Sequence, residues 1–278
     1  MPTKSRLGQN FLHDAAAIRR IAAAVGDCAG HTVVEIGPGK GAITRVLAGD
    51  AGHVLAIEVD PELAVRLRAE FSPERVTVVG QDVLDFDFSA AAAASGERLP
   101  VVGNLPYYIT SPILLKLAAS HAALDRAVLM VQREVADRVA AEPGSRDFGL
   151  LSVTVQMYGP VEKLFTLPPS AFSPPPEVHS TVFRWRFAPR FAELRVEEMG
   201  FLAFLRVAFA QKRKTLANNL RAAGMTPAAV AAVLSDAGIE PLTRAEALPL
   251  EALAALWRSI KKREAASSGE AASAAGRA

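Results

Sequence analysis

The chain has 278 residues, half of them hydrophobic and 22% charged, enough for about two domains and for burying roughly three quarters of the unfolded surface. That composition excludes collagenous, mucin-like and wholly disordered chains. Thirty-one basic against 29 acidic residues leave a formal charge of +2, too small to assign a nucleic-acid partner, so the distribution of charge has to decide.

In chain order, the basic start MPTKSRLGQNFLHDAAAIRR is interrupted by Arg19 and Arg20 before a signal core or a membrane span can form. A cytoplasmic protein with no membrane partner is expected, and the single cysteine, Cys28, fits a reducing compartment and precludes an internal disulfide, a zinc ribbon or a three-cysteine iron–sulfur site. Asp14 can cap a helix over Ala15–Val25 with Gly26 as its stop, after which Thr32–Ile36 (TVVEI) reads as a buried strand running into a glycine loop. AITRVLA is helical, HVLAIE at 53–58 is a second strand, and Asp60-Pro61 is a cap followed by a first-turn proline. RVTVV at 75–79, PVVGN at 100–104 and AVLMVQ at 127–132 add further strands. Strands alternating with helical stretches predict an α/β fold with a doubly wound, mostly parallel sheet. The alanine run at 90–94, flanked by Ser89, Ser95 and Gly96, reads as a solvated surface excursion rather than a helix.

From Val161 the texture changes. VEKLFTLPPSAF and EVHSTVFRWRF read as two strands around a proline-rich connection, an antiparallel addition at the sheet edge. Pro189 marks the end of a first domain over 1–189. Segments from VEEMGFLAFLRVAFA to LEALAALWRSIKK predict a small all-helical C-terminal domain over 190–263, and the Ala/Ser/Gly tail at 264–278 reads as disordered. The five histidines are scattered without ligand-like spacing, so no metal site is expected.

Two motifs carry chemistry. In EIGPGKG, residues 35–41, glycines between a strand and a helix let the backbone turn sharply and a ligand approach closely. The spacing is G-x-G-x-G rather than the G-x-G-x-x-G of dinucleotide folds. Glu58 at the end of the second strand is placed to accept hydrogen bonds from ribose hydroxyls, and Asp82 after the third can accept from an adenine amine. The fourth strand ends in NLPYY, residues 104–108. An adenine amino nitrogen is a poor nucleophile because its lone pair is delocalised; acceptors that hold its two hydrogens favour the pyramidal, reactive form. Asn104 Oδ1 and the Leu105 carbonyl can do this, Pro106 stiffens the turn, and Tyr107 offers a face for a base out of its stack. A flipped or single-stranded adenine is the implied substrate, and methyl transfer needs no prior general base.

With GQNFL (8–12), EIGPGKGAIT, AIEVD, GQDVLDFD, NLPYYITSPIL, FSPPPEV and RKTLANNL, the chain from Gly8 to about Lys262 resembles the bacterial 16S ribosomal RNA adenine N6,N6-dimethyltransferases. The resemblance implies a Rossmann-like class I methyltransferase sheet, S-adenosyl-L-methionine as cofactor, and dimethylation of two adjacent adenosines near the 3′ end of small-subunit RNA, by a monomer acting on an assembling 30S particle. It further implies that Gln9, Asn10 and Leu12 close over the cofactor and that Gly37, Glu58, Asp82, Val83 and Asn104 contact it or flank the reacting atoms. Glu35 and Gly39 shape the loop, and Phe172 stacks on the target base opposite Tyr107. One position departs from the pattern: Glu177 stands where the family commonly has lysine, reversing a charge near the expected RNA path. Arg206, Lys212, Arg213, Lys214 and Arg221 lie in a stretch with no acidic residue from 201 to 225, preceded by Arg184, Arg186 and Arg190, and read as an RNA clamp. The rival readings are a large-subunit adenine methyltransferase of the antibiotic-resistance type, a non-catalytic assembly factor, and a nicotinamide dehydrogenase, the last disfavoured by the glycine spacing.

Overall fold

The computed structural model describes residues 10–275, with side chains through 266; Gln9 lies outside the described residues. The chain forms two compact units. The first runs to Ala140 and resumes at Tyr158–Ala188; the second takes Ala141–Met157 and everything from Pro189. Residues 141–157, which the sequence reading leaves in the first domain, thus belong to the second.

The first unit opens with a two-residue strand β1 (Phe11–Leu12) and helix α1 (Ala15–Val25). Asp14 Oδ1 accepts from the Ala16 and Ala17 amides at 2.9 Å, satisfying two of the amides a helix start leaves unpaired. The alternation β2 (Thr32–Ile36), α2 (Ala42–Asp50), β3 (His53–Ile57), α3 (Pro61–Glu70), β4 (Val76–Val79), α4 (Phe88–Ser95), β5 (Leu99–Asn104), α5 (Thr110–Ala119), β6 (Leu124–Gln132) and α6 (Arg133–Val139) follows. After the excursion into the second unit come β7 (Val161–Leu167), β8 (Phe172–Ser173) and β9 (Ser180–Arg186). The sheet has seven strands in the order β4-β3-β2-β5-β6-β9-β7. β2 to β6 are parallel, and β9 is antiparallel to both β6 and β7. Val33, Val34, Val101, Val102 and Val128–Val131 are buried without alternation, as expected of strands covered on both faces.

The register positions the site. Ile36 pairs with both Ile57 and Gly103, so β2 and β3 end level and β5 runs one residue further, to Asn104. The loops that follow them open on one edge, the carboxyl edge where open α/β sheets bind ligands. A separate two-stranded ladder joins β1 to β8, with Phe11 opposite Ser173 and Leu12 opposite Phe172. It ties the segment before α1 to the proline-rich connection.

The alanine run contradicts its reading as a solvated excursion: it is helix α4. Asp87 Oδ1 accepts from the Ala90 amide at 3.0 Å, Gly96 closes the other end in the left-handed region at φ 73°, and buried Phe88 pins the first turn. Alanine is the best helix former, and with both ends capped nothing opposes it.

The second unit is helical throughout: α7 (Leu150–Met157), α8 (Phe191–Leu194), α9 (Glu198–Ala208), α10 (Leu216–Ala222), α11 (Pro227–Asp236) and α12 (Leu250–Ala275). Glu197, Thr215 and Thr226 cap α9, α10 and α11, and Phe201, Leu205, Leu220, Val230, Leu253 and Leu256 are among its buried side chains. α12 runs past Glu264, where the tail reads as disordered; alanine propensity carries it through Ala275, and 276–278 lie outside the described residues. No helix among the described residues is long and apolar enough to cross a membrane.

Candidate functional site

The glycine loop leaves β2 with Gly37 and Gly39 at φ 64° and 57°, where side chains other than glycine are strained. The Gly37 amide donates to Ile57 O at 2.9 Å, turning the loop over the end of β3. At Gly39 a Cβ would also come within 3.1 Å of the Phe11 ring, so the missing side chain lets β1 lie on the loop without shifting that ring. The ammonium of Lys40 rests 4.4 Å from the same ring, a cation–π contact that helps hold the segment down.

Glu58, 2% exposed, closes the loop from below. Its Oε2 accepts from the Gly39 amide and its Oε1 from the Asp60 amide, both at 2.9 Å. Each oxygen keeps a second lone pair for another donor. Burial raises the proton affinity of this carboxyl above the ordinary glutamate value, against the opposing pull of the Asp60 and Gly39 amides.

The NLPYY turn is built from equally specific bonds. Asn104 Nδ2 donates to Asn10 O at 3.1 Å, which commits the amide end of that side chain to the β1 segment and leaves Oδ1 as its acceptor. The Leu105 amide donates to Met130 O at 3.0 Å, anchoring the backbone to β6. Pro106 O accepts from the Ile109 amide at 3.2 Å and from Thr110 Oγ1 at 3.0 Å, and Tyr107 Oη shares a 2.7 Å hydrogen bond with Ser180 Oγ on β9. After β4, Asp82 Oδ1 receives the Leu84 amide at 2.9 Å, an Asx turn that occupies one carboxylate oxygen.

These segments enclose one cleft. Asn10, Leu12, Glu35, Gly37, Gly39, Glu58, Asp82, Val83, Asn104, Leu105, Pro106 and Tyr107 all line it. Phe172 does not. Its ring is 2% exposed and packs in the core with Leu12, Ala17 and Ile21. Pairing with Leu12 sets the alternation of β8, turning Phe172 inward and Ser173 outward. Phe11, Lys40, Gln81 and Tyr108 line the cleft without having been singled out; all four sit inside matched motifs, but only the fold brings them together. Arg206, Lys212, Arg213, Lys214 and Arg221 are exposed on the second unit. Arg184 and Arg190 are paired with Glu162 and with Glu193 and Glu251, so they add little free positive charge.

Glu35 is the electrostatic anomaly. It is 2% exposed, its Oε2 has no hydrogen-bond partner, and burial pushes its pKa up to about 7, with the Glu58 carboxylate adding to the rise and Thr44 opposing it. A carboxyl whose pKa is higher folded than unfolded binds more protons in the native state between those two values. Stability therefore falls as pH rises from about 4.5 to about 7, by about 3 kcal/mol at most for this shift. Glu35→Gln is expected to remove that component: its stability, from urea unfolding, should decline less than the parent's between pH 5 and pH 8. Parallel declines would show that Glu35 ionises normally in the fold.

Comparison with known proteins places the chain. Residues 2–262 match the profile of a family described as Ribosomal RNA adenine dimethylase. Ribosomal RNA small subunit methyltransferase A of Acidobacterium capsulatum is 61% identical over 94% of this chain and 92% of its own length. The protein of the same name from Koribacter versatilis is 48% identical over 93% and 95%. Among solved structures, a dimethyladenosine transferase from Plasmodium falciparum superposes with a TM-score of 0.76 at 23% identity, covering 91% of this chain and 98% of that one. The 23S rRNA methyltransferase ErmE superposes with 0.70 at 26% identity, covering 91% and 100%.

Proposed function

The chain belongs to the ribosomal RNA adenine dimethylase family, and from that premise we propose that it methylates the N6 amines of two adjacent adenosines near the 3′ end of small-subunit ribosomal RNA. The setting is the cytoplasm, on an assembling 30S particle, with S-adenosylmethionine as methyl donor. The observation that carries the reading is Asn104: its Nδ2 donates to the Asn10 carbonyl, which fixes the orientation of the carboxamide and leaves Oδ1 as the side chain's acceptor in a residue that lines the cleft.

The cleft suits that donor. Gly37 and Gly39 open the backbone to close approach, Glu58 keeps lone pairs for the ribose hydroxyls, and Asp82 keeps an oxygen for the adenine amine of the cofactor. S-adenosylmethionine, when bound, supplies a methyl group made electrophilic by its sulfonium. The protein's part is positional. Asn104 Oδ1 and the Leu105 carbonyl hold the two amine hydrogens of the target, turning the nitrogen lone pair out of conjugation, and Tyr107, fixed by Ser180, supports the base. The positively charged nitrogen formed on transfer is strongly acidic and loses its proton to water, so no base is required. The segment at Asn10–Leu12 covers the glycine loop and helps exclude water.

Similarity supports the small-subunit address: the relative at 61% identity is a small-subunit enzyme, whereas the large-subunit enzyme ErmE stands at 26%. The direct test is incubation of the purified protein with labelled methyl donor and undermethylated small subunits, followed by mass-spectrometric mapping of the nucleosides. Label on two neighbouring N6-dimethyladenosines is the expected result; label elsewhere, or none, overturns the reading.

The exposed cations of the second unit are proposed to hold RNA phosphates. Replacing Arg213 and Lys214 by alanine should weaken RNA binding and lower the slope of log affinity against log salt by about 0.7–0.9 for each phosphate left without its cation. An unchanged slope in filter binding between 50 and 200 mM salt would remove these residues from the interface.

A further inference from the structure

We propose that Tyr108 is a specificity-determining residue, the stacking surface for the purine beside the target adenine. The inference rests on the adenine methylation proposed above. Tyr107 and Tyr108 open one 3-10 turn, Tyr107–Ile109, in which successive side chains leave the axis about 120° apart. The two rings therefore serve different places. Tyr107 is half-buried and tethered through its hydroxyl to Ser180. Tyr108 also lines the cleft but is 62% exposed, the one exposed aromatic among the described residues.

The turn carrying it is rigid. Pro106 enters at φ −59°, its carbonyl accepts from both Ile109 and the buried Thr110, and the Leu105 amide is held by β6. A ring on such a turn is presented with little ordering entropy left to lose on binding. The occupant follows from the connectivity of RNA. A base drawn into the cleft brings its covalently linked neighbour to the mouth, where Tyr108 stands. If the substrate carries adjacent adenosines, that neighbour is a purine, whose broad π face stacks well on an aromatic ring and needs no hydrogen-bond code.

Steady-state methylation of undermethylated small subunits tests this, with Tyr108 replaced in turn by Ala, Leu, Phe and Trp. Tyr108→Ala should raise the KM for the particle about thirtyfold, the middle of the range for losing one stacked base. Both kcat and cofactor affinity should stay within about twofold. Tyr108→Phe and Tyr108→Trp should restore the parent KM, and Tyr108→Leu, which keeps apolar bulk without a π face, should behave as alanine does. Exposure makes misfolding of these variants a minor concern, and the aromatic rescue separates stacking from general packing. An unchanged KM in Tyr108→Ala, or rescue by leucine equal to that by phenylalanine, overturns the inference. A parent protein that methylates no small subunits would refute the underlying reading as well, whereas full methylation at unchanged KM by Tyr108→Ala refutes this inference alone.

Discussion

Replacing Asn104 by alanine is expected to lower the single-turnover methylation rate about 10²- to 10³-fold, while cofactor affinity measured by calorimetry stays within about threefold. The magnitude is that of deleting one positioned hydrogen-bonding group that acts on charge developing in a transition state. The selectivity comes from the bonding of the side chain. Oδ1 meets the target amine, whereas the cofactor's ribose and adenine fall to Glu58 and Asp82, and the variant leaves both in place. Asn104→Asp sharpens the test. The carboxylate keeps an acceptor for the amine but sets an oxygen where Nδ2 now donates to the Asn10 carbonyl. Alanine merely removes that bond, whereas in the aspartate variant two acceptors face each other and push the β1 segment away, so rate and cofactor affinity should fall together. Equal losses of rate and affinity in the alanine variant would remove Asn104 from the chemistry and leave it a part of the cofactor wall.

Glu58→Ala should do the reverse, weakening cofactor binding about tenfold to a hundredfold with the rate at saturating cofactor nearly intact. Hydrogen bonds to a charged group contribute about 1.5–3 kcal/mol, which sets that range. Two effects combine. The ribose hydroxyls lose their acceptor, and the amides of Gly39 and Asp60, both now bonded to the carboxylate, lose theirs. Glu58→Gln offers little relief, because the carboxamide nitrogen would turn a donor toward one of those two amides. A thermal unfolding midpoint measured alongside separates damage to the loop from removal of the ribose acceptor. Undiminished affinity in the alanine variant would show that the acid serves only to close the glycine loop.

Much of this arrangement is legible locally. Asp14 and Gly26 bound the first helix because an Oδ1 acceptor and a residue tolerant of positive φ solve the end problems of any helix. TVVEI reads as a strand from its β-branched residues Thr32, Val33, Val34 and Ile36, and Asp60-Pro61 marks the start of α3 because it supplies a cap and a first-turn proline. What stays hidden locally is also physical. The alanine run at 90–94 looks featureless until Phe88 is seen to be buried, and burial is not a local property. Phe172 reads as a base-stacking ring by position in a motif, yet its facing depends on a ladder with Leu12, 160 positions earlier in the chain.

From the order of residues alone came the α/β alternation, the glycine loop with an acid at the end of the next strand, and an Asn-Leu-Pro-Tyr turn after the fourth. Each depends on contacts within a turn or two of the chain and on side-chain chemistry that needs no partner to be recognised. Folding decided what those groups are free to do. Asn104 shows its acceptor because a carbonyl 94 positions away takes its donor, Glu58 spends half its capacity on two amides, and Glu35 is left without a partner for Oε2 under the loop. Such assignments depend on which distant backbone atoms arrive within about 3 Å, the reach of a hydrogen bond, and the neighbouring ends of β2, β3 and β5 bring them there.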